Sequence, residues 1–257
     1  MTLHRFGVSI FLVSMTIGLS AGLQAQKSIT DSTIGLTLAQ ITYRGMIPGG
    51  DMADRFGFVS EFGIDLVYKF KNNFYISGGF QGMFADSIKE PGLLENLKIP
   101  QGFVITDNGE ISNVRILGTG FVIPVSVGKV FPIIKSHNPN SGLFIEVGGR
   151  FMQHKIQINR LSEEVSAIEG EYVKGYDRLT NGFGIREAVG YRFLSNNGMV
   201  NFMFGFEFSQ NFTQSRRSIN FDTGEVPKFN RKDLLSGFFV SWIFPFYERA
   251  PNKVYYK

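Results

Sequence analysis

The chain contains no cysteine. That absence removes disulfides, thiolate catalysis, zinc-thiolate sites and the lipid-modified cysteine of a lipoprotein, so any attachment to a membrane has to come from the fold itself. Histidine is scarce, with three residues, and no two of them pair as metal ligands would. Gly182-Phe-Gly184 fails as a dinucleotide fingerprint, because Glu187 stands where a third glycine is needed. No cofactor or metal is therefore expected. Beyond the first 25 residues there is no long apolar stretch free of charge, which excludes a helical span, and no period of a helical repeat or propeller. The formal net charge is only +4, too mild to point to nucleic acid.

What the chain has in quantity is phenylalanine, 27 residues, and glycine, 30, against a single tryptophan. That balance suits twisted strands with rings on one face and small residues on the other. Met1 to Ala25 reads as a secretory signal peptide, with Arg5 near its start, an apolar run from Phe6 to Leu19 and a small-residue end at Ala25. The run falls short of the ~20 residues that a spanning helix needs. Residues 26–257 then form one domain with a short C-terminal tail.

The stretch Asn201 to Phe212 carries the plainest pattern. Phe202, Phe204, Phe206, Phe208 and Phe212 fall on one face of an extended strand, and Asn201, Met203, Gly205, Glu207, Ser209 and Asn211 on the other. Lipid on the first face and a polar lumen on the second fit a transmembrane barrel. The pattern recurs in Phe56 to Lys69, Phe74 to Phe84, Val114 to Val130, Leu143 to Ile158, Leu179 to Phe193 and Leu234 to Phe246, with a weaker first strand from Ile34 to Tyr43 that Met46-Ile-Pro-Gly-Gly-Asp51 ends. Phe56 is placed with the lipid-facing residues of its strand. Pro124 predicts a bulge, since it donates no ladder hydrogen bond. Glu187 falls on the lipid face, which calls for a bulge or a shifted phase. Asp107-Asn-Gly109 predicts a small hairpin between Phe103 and Ile116, outside the membrane.

The expected fold is thus all-β, an eight-stranded antiparallel up-and-down transmembrane β-barrel. Long charged connections alternate with mostly short ones, so the long loops lie outside the cell and both termini in the periplasm. Aromatic residues near the strand ends, such as Tyr68, Phe74 and Phe131 on one side and Tyr43, Phe84 and Phe212 on the other, fit interfacial girdles. With its leader ending Ala25-Gln26, the strand Gly120-Phe-Val-Ile-Pro-Val125 and the segment Tyr176-Asp-Arg-Leu-Thr-Asn-Gly182, the chain resembles the small eight-stranded outer-membrane barrels of Bacteroidota. The resemblance is architectural and carries no functional residue across. It implies residence in a Gram-negative outer membrane among lipid and lipopolysaccharide, with another envelope protein as a partner, and some proteins of this type assist type IX secretion.

An eight-stranded barrel is only about wide enough for its own side chains, so no solute pore is expected. Glu61, Asp65, Glu146 and Glu207 should point inward beside Arg150, Arg186 and Arg192 and form ion pairs there. Arg216, Arg217, Lys228, Arg231 and Lys232 in the last loop are candidates for lipopolysaccharide phosphates or a partner. The expected role is structural or docking, through the loops or the tail with Tyr255 and Tyr256, and not enzymatic. The alternative is a lipid A-modifying enzyme using His154, with Ser162, Glu163 and Glu164 nearby in sequence.

Overall fold

The computed structural model describes residues 33–112, 114–133, 138–160, 165–195, 200–227 and 230–246. The leader, 1–25, and the tail, 247–257, lie outside the described residues. Eight long strands make the barrel: β1 (Leu36–Gly50), β2 (Val59–Lys69), β3 (Phe74–Ala85), β6 (Val114–Phe131), β7 (Gly142–Arg160), β8 (Thr180–Leu194), β9 (Asn201–Ser215) and β10 (Asn230–Phe246). Each pairs antiparallel with its sequence neighbour, and β1 closes the ring on β10 from Thr37↔Phe246 to Gly50↔Asp233. Closure leaves each described barrel strand paired on both sides over most of its length, which removes most of the pairing hazard that an exposed edge carries. Two short strands, β4 (Val104–Ile105) and β5 (Ile111–Ser112), form a separate hairpin turned by Asp107-Asn-Gly109. It stays out of the barrel, so the strand count is eight.

The alternation read from the sequence sets the two faces. Phe62, Ile64, Leu66, Phe80, Phe206, Phe208, Phe238 and Trp242 are exposed on the outer wall, and rings touch from strand to strand, Phe80 to Phe121 at 5.7 Å, Phe121 to Phe151 at 6.0 Å and Phe151 to Phe183 at 5.1 Å. A continuous apolar belt of this kind is far beyond what a water-soluble surface carries, and lipid is the solvent it fits. The fold is a transmembrane barrel. At the rim where β1 starts and β10 ends, β2 turns into β3 through Asn73, whose φ of 64° is one that asparagine tolerates.

Several local expectations are corrected. β1 runs on through Met46 and Pro48 to Gly50, because β10 pairs with it that far while the β2 ladder stops at Met46↔Val59. Pro48 thus sits beyond the last β2 pair, at the kind of edge where proline is tolerated. Pro124 makes no bulge. The β3–β6 register is the same on both sides of it, from Gly78↔Val125 to Gln81↔Val122, and the missing N–H shows only as a gap between those pairs. Glu187 needs neither a bulge nor a shifted phase; it is exposed on the outer wall, in unbroken register with Val147 and Phe208. Phe56 is not on the lipid face. It precedes β2, bridges to Ile88 and is fully buried at the mouth of the barrel.

Side chains fill the interior in layers. Near the rim with the short turns lie Leu36, Leu38, Val67, Phe144, Met203, Phe239 and Ile243. Near the opposite mouth lie Met46, Phe56, Met83, Val122, Met152 and Leu235, continuous with Leu94, Ile168 and Tyr176 of the loops. Between these two apolar plugs sits a charged layer.

Candidate functional site: a charged interior beneath an ordered cap

Period two decides which residues enter that middle layer. Glu61 and Asp65 on β2, Glu146 and Arg150 on β7, Arg186 on β8 and Glu207 on β9 share the inward phase of their strands and are buried. Closure of the ring then makes partners of residues far apart in sequence. Glu207 is the hub: it accepts from Arg44 Nε at 3.0 Å, Arg186 Nη2 at 2.6 Å and Arg150 Nη1 at 3.3 Å. Arg150 also pairs with Glu61, Arg186 with Glu146, and Arg44 with Asp65 at 3.5 Å. The four carboxylates outnumber the three arginines, and neutral donors take up the remainder. Gln81 Nε2 donates to Asp65 at 2.7 Å, Thr42 Oγ1 to Asp65 at 2.9 Å, and Tyr75 OH to Glu146 at 2.8 Å. Charges withdrawn from water this far persist only when paired and hydrogen-bonded on several sides.

Arg192 also points inward and is buried, but among the described residues it has no carboxylate partner. Its guanidinium lies 4.1 Å from the centroid of the Tyr75 ring, with Nη2 3.5 Å from Met203 Sδ. Gly128 lets that ring lie flat, since a Cβ there would stand 2.4 Å from it. Arg44 escapes the sequence reading, because the first strand was expected to end at Tyr43. The signal was available in the unbroken alternation of Gln40, Thr42 and Arg44.

His154 lies toward the cap, fully buried, 3.5 Å from Asp233 and edge-on to Phe56 at 5.2 Å. Asp233 also receives Thr213 Oγ1 at 2.6 Å and Arg55 Nη2 at 3.3 Å. This is a closed packing cluster, walled from both lipid and solvent. Ser162, Glu163 and Glu164 lie outside the described residues.

Above it the long loops are tied together. Arg178, at a φ of 52° that non-glycine residues seldom adopt, donates to both oxygens of Asp222 at 2.7 and 2.8 Å and to Glu90 at 3.2 Å. Asp222 also receives the backbone N–H of Leu94 at 3.1 Å. One ion cluster therefore joins the segments after β3, β7 and β9. Asp107 of the hairpin turn accepts from the Ser166 N–H at 3.2 Å, which fixes the hairpin to the segment after β7. The hairpin buries Val104 and Ser112 and exposes Phe103, Ile105 and Ile111.

The basic residues of the last loop do not gather. Arg217 is paired with Asp177 at 2.6 and 2.7 Å, and the hydrogen bonds it donates to that carboxylate raise its guanidinium above its ordinary pKa. Arg231 turns into the barrel and donates to Thr180 Oγ1 at 3.0 Å. Arg216 and Lys232 are exposed on the outer wall, and Lys228 lies outside the described residues. Alternation within β10 sends Arg231 and Lys232 to opposite faces, and that parity is what scatters the cluster.

No protein-family model matches the chain, and no curated protein matches it. Among solved structures it is similar to Ail, the attachment invasion locus protein of Yersinia pestis, in complex with the heparin analogue sucrose octasulfate, at 14% identity over 82% of this chain and 99% of that one, with a TM-score of 0.40. Neisserial surface protein A is similar at 10% identity over 80% and 96% of the two chains, TM-score 0.39. The N-terminal β-barrel domain of Pseudomonas aeruginosa OprF is similar at 9% identity over 82% and 99%, TM-score 0.37. The architecture of this chain rests on its own strand pairing.

Proposed function

We propose that the protein is a pore-less, non-enzymatic barrel of a Gram-negative outer membrane, with termini periplasmic and loops extracellular, that docks another envelope component through its cap. The observation that carries this reading is the union of rigidity and apolar exposure in the loops. Arg178, Asp222 and Glu90 lock the cap, yet Phe103, Ile105 and Ile111 remain uncovered on the β4–β5 hairpin. An ordered loop platform with an exposed apolar edge suits recognition of a protein. An accessory role in type IX secretion is one case of such docking.

The filled interior, two apolar layers with paired charges between them, supports the reading of a barrel without a pore. The lipid A-modifying alternative requires His154 to reach the outer leaflet, and its full burial beside Asp233 and Phe56 weighs against that.

The test begins with heat-dependent gel migration of the chain refolded in detergent, then bilayer conductance, then native purification of wild type and the Ile105→Asp/Ile111→Asp variant. A band that shifts on boiling, silent bilayers and a stoichiometric envelope protein lost from the variant support the reading. Step conductance, or lipid A of altered mass that depends on His154, would overturn it.

A further inference from the structure

The outer wall carries a feature that only the strand register assembles. One row of paired positions crosses four strands, Gln153 on β7, Asn181 on β8, Gln214 on β9 and Asn230 on β10. All four are carboxamides on the outward phase. Asn181 Nδ2 donates to Gln153 Oε1 at 3.2 Å, and Gln214 Nε2 to Asn230 Oδ1 at 3.2 Å. The next outward row toward the middle of the belt is Phe151, Phe183, Phe212 and Lys232. The wall changes from ring to amide in a single step.

Cations flank this ladder. Lys155 stands one outward position above Gln153, Arg216 donates to Asn181 at 2.6 Å, Lys232 ends the ring row, and Arg115 lies farther up β6. All four are exposed, and among the described residues none has a carboxylate partner. Among the described residues the β1–β3 sector shows no such ladder: Ile47 on β1, Phe58 just before β2 and Phe84 on β3 are exposed apolar residues toward the same mouth. The collar therefore belongs to β6–β10 and is not a general property of the rim.

Its chemistry is specific. Carboxamides both donate and accept, as sugar hydroxyls require, while lysine and arginine take phosphate oxygens. Rings immediately below offer an apolar wall to acyl chains. We infer that the β6–β10 collar binds a phosphorylated glycolipid of the lipopolysaccharide class, its acyl chains on Phe151, Phe183 and Phe212, its sugars on the amide row and its phosphates at Lys155, Arg216 and Lys232. This rests on the reading of the loop side as extracellular. A simple anionic phospholipid would engage the cations and leave the amides unused.

The experiment compares binding of deep-rough lipopolysaccharide and of phosphatidylglycerol to refolded protein in phosphatidylcholine nanodiscs, read by native mass spectrometry. The variant Lys155→Gln/Arg216→Gln/Lys232→Gln should bind lipopolysaccharide about tenfold more weakly, as the loss of three exposed charge contacts predicts. Gln153→Ala/Asn181→Ala/Gln214→Ala should weaken lipopolysaccharide and leave phosphatidylglycerol unchanged. Lys129→Gln, at the opposite rim where Lys129 lies 4.5 Å from the Phe74 ring centroid, should change neither. Undiminished lipopolysaccharide binding by either triple variant overturns the inference, and the single variants Arg216→Gln and Lys232→Gln decide it if a triple variant loses its heat shift. A wild-type chain that shows no heat shift at all would instead count against the outer-membrane reading.

Discussion

Replacing Arg150 by methionine should be among the most damaging single changes in the barrel. Arg150 is buried, and it holds Glu61 with one amino group and Glu207 with the other. Glu207 keeps Arg44 and Arg186 after the change, but Glu61, fully buried, keeps no cation among the described residues. Breaking a buried pair in this way costs about 3–5 kcal/mol, mostly because a carboxylate is stranded. Glu61→Leu leaves Arg150 with Glu207 as a partner, and a smaller cost of about 1–2 kcal/mol follows. The double variant removes both charges, and apolar replacement of a whole pair is often close to neutral. It should recover at least ~2 kcal/mol relative to Arg150→Met, a coupling well above that of independent sites. The assay is urea unfolding from phospholipid vesicles followed by tryptophan emission, since Trp242 is the only tryptophan and lies 60% exposed on the lipid face. If Arg150→Met costs less than about 1 kcal/mol, or the double variant is no better than it, the interior is not held by these pairs.

Glu187→Leu should raise stability by about 1 kcal/mol in the same assay, because a carboxylate on the lipid face costs less than the ~2–4 kcal/mol of a midplane Arg or Lys but still opposes insertion. An unchanged or lower midpoint would mean that Glu187 has a partner in the membrane. Asp222→Ala should leave buried Arg178 with Glu90 as its one carboxylate among the described residues and free the segment after β9 from the cap, making that segment a protease target while the barrel stays heat-modifiable. Equal digestion of variant and wild type would refute that coupling. Gly128→Val should displace the Tyr75 ring, break its bond to Glu146 and lower the urea midpoint, whereas an unchanged midpoint would show that the ring has room to move.

Much of the fold was legible because strand geometry writes itself into sequence. Side chains alternate at period two, so the parity of a residue within its strand decides lipid or lumen without knowledge of any neighbour. That alone gave the phenylalanine wall, the inward carboxylates and arginines, and the outward Glu187. Parity says nothing where the strand stops. Phe56 lies before β2 begins, and there the cap turned it inward. It also says nothing about partners. Arg44 and Glu207 are 163 residues apart in sequence, and only closure of the ring through β1 and β10 brings them to 3.0 Å. Arg178 meets Asp222 and Glu90 for a similar reason, as three separate loops converge over one mouth. The amide row is the same lesson on the outer wall. Asn181, Gln214 and Asn230 are ordinary polar residues near strand ends and Gln153 lies within β7, and the register alone stacks them into a surface. Alternation is local and survives in one dimension, whereas register and closure are set by hydrogen bonds between strands, which no single strand contains.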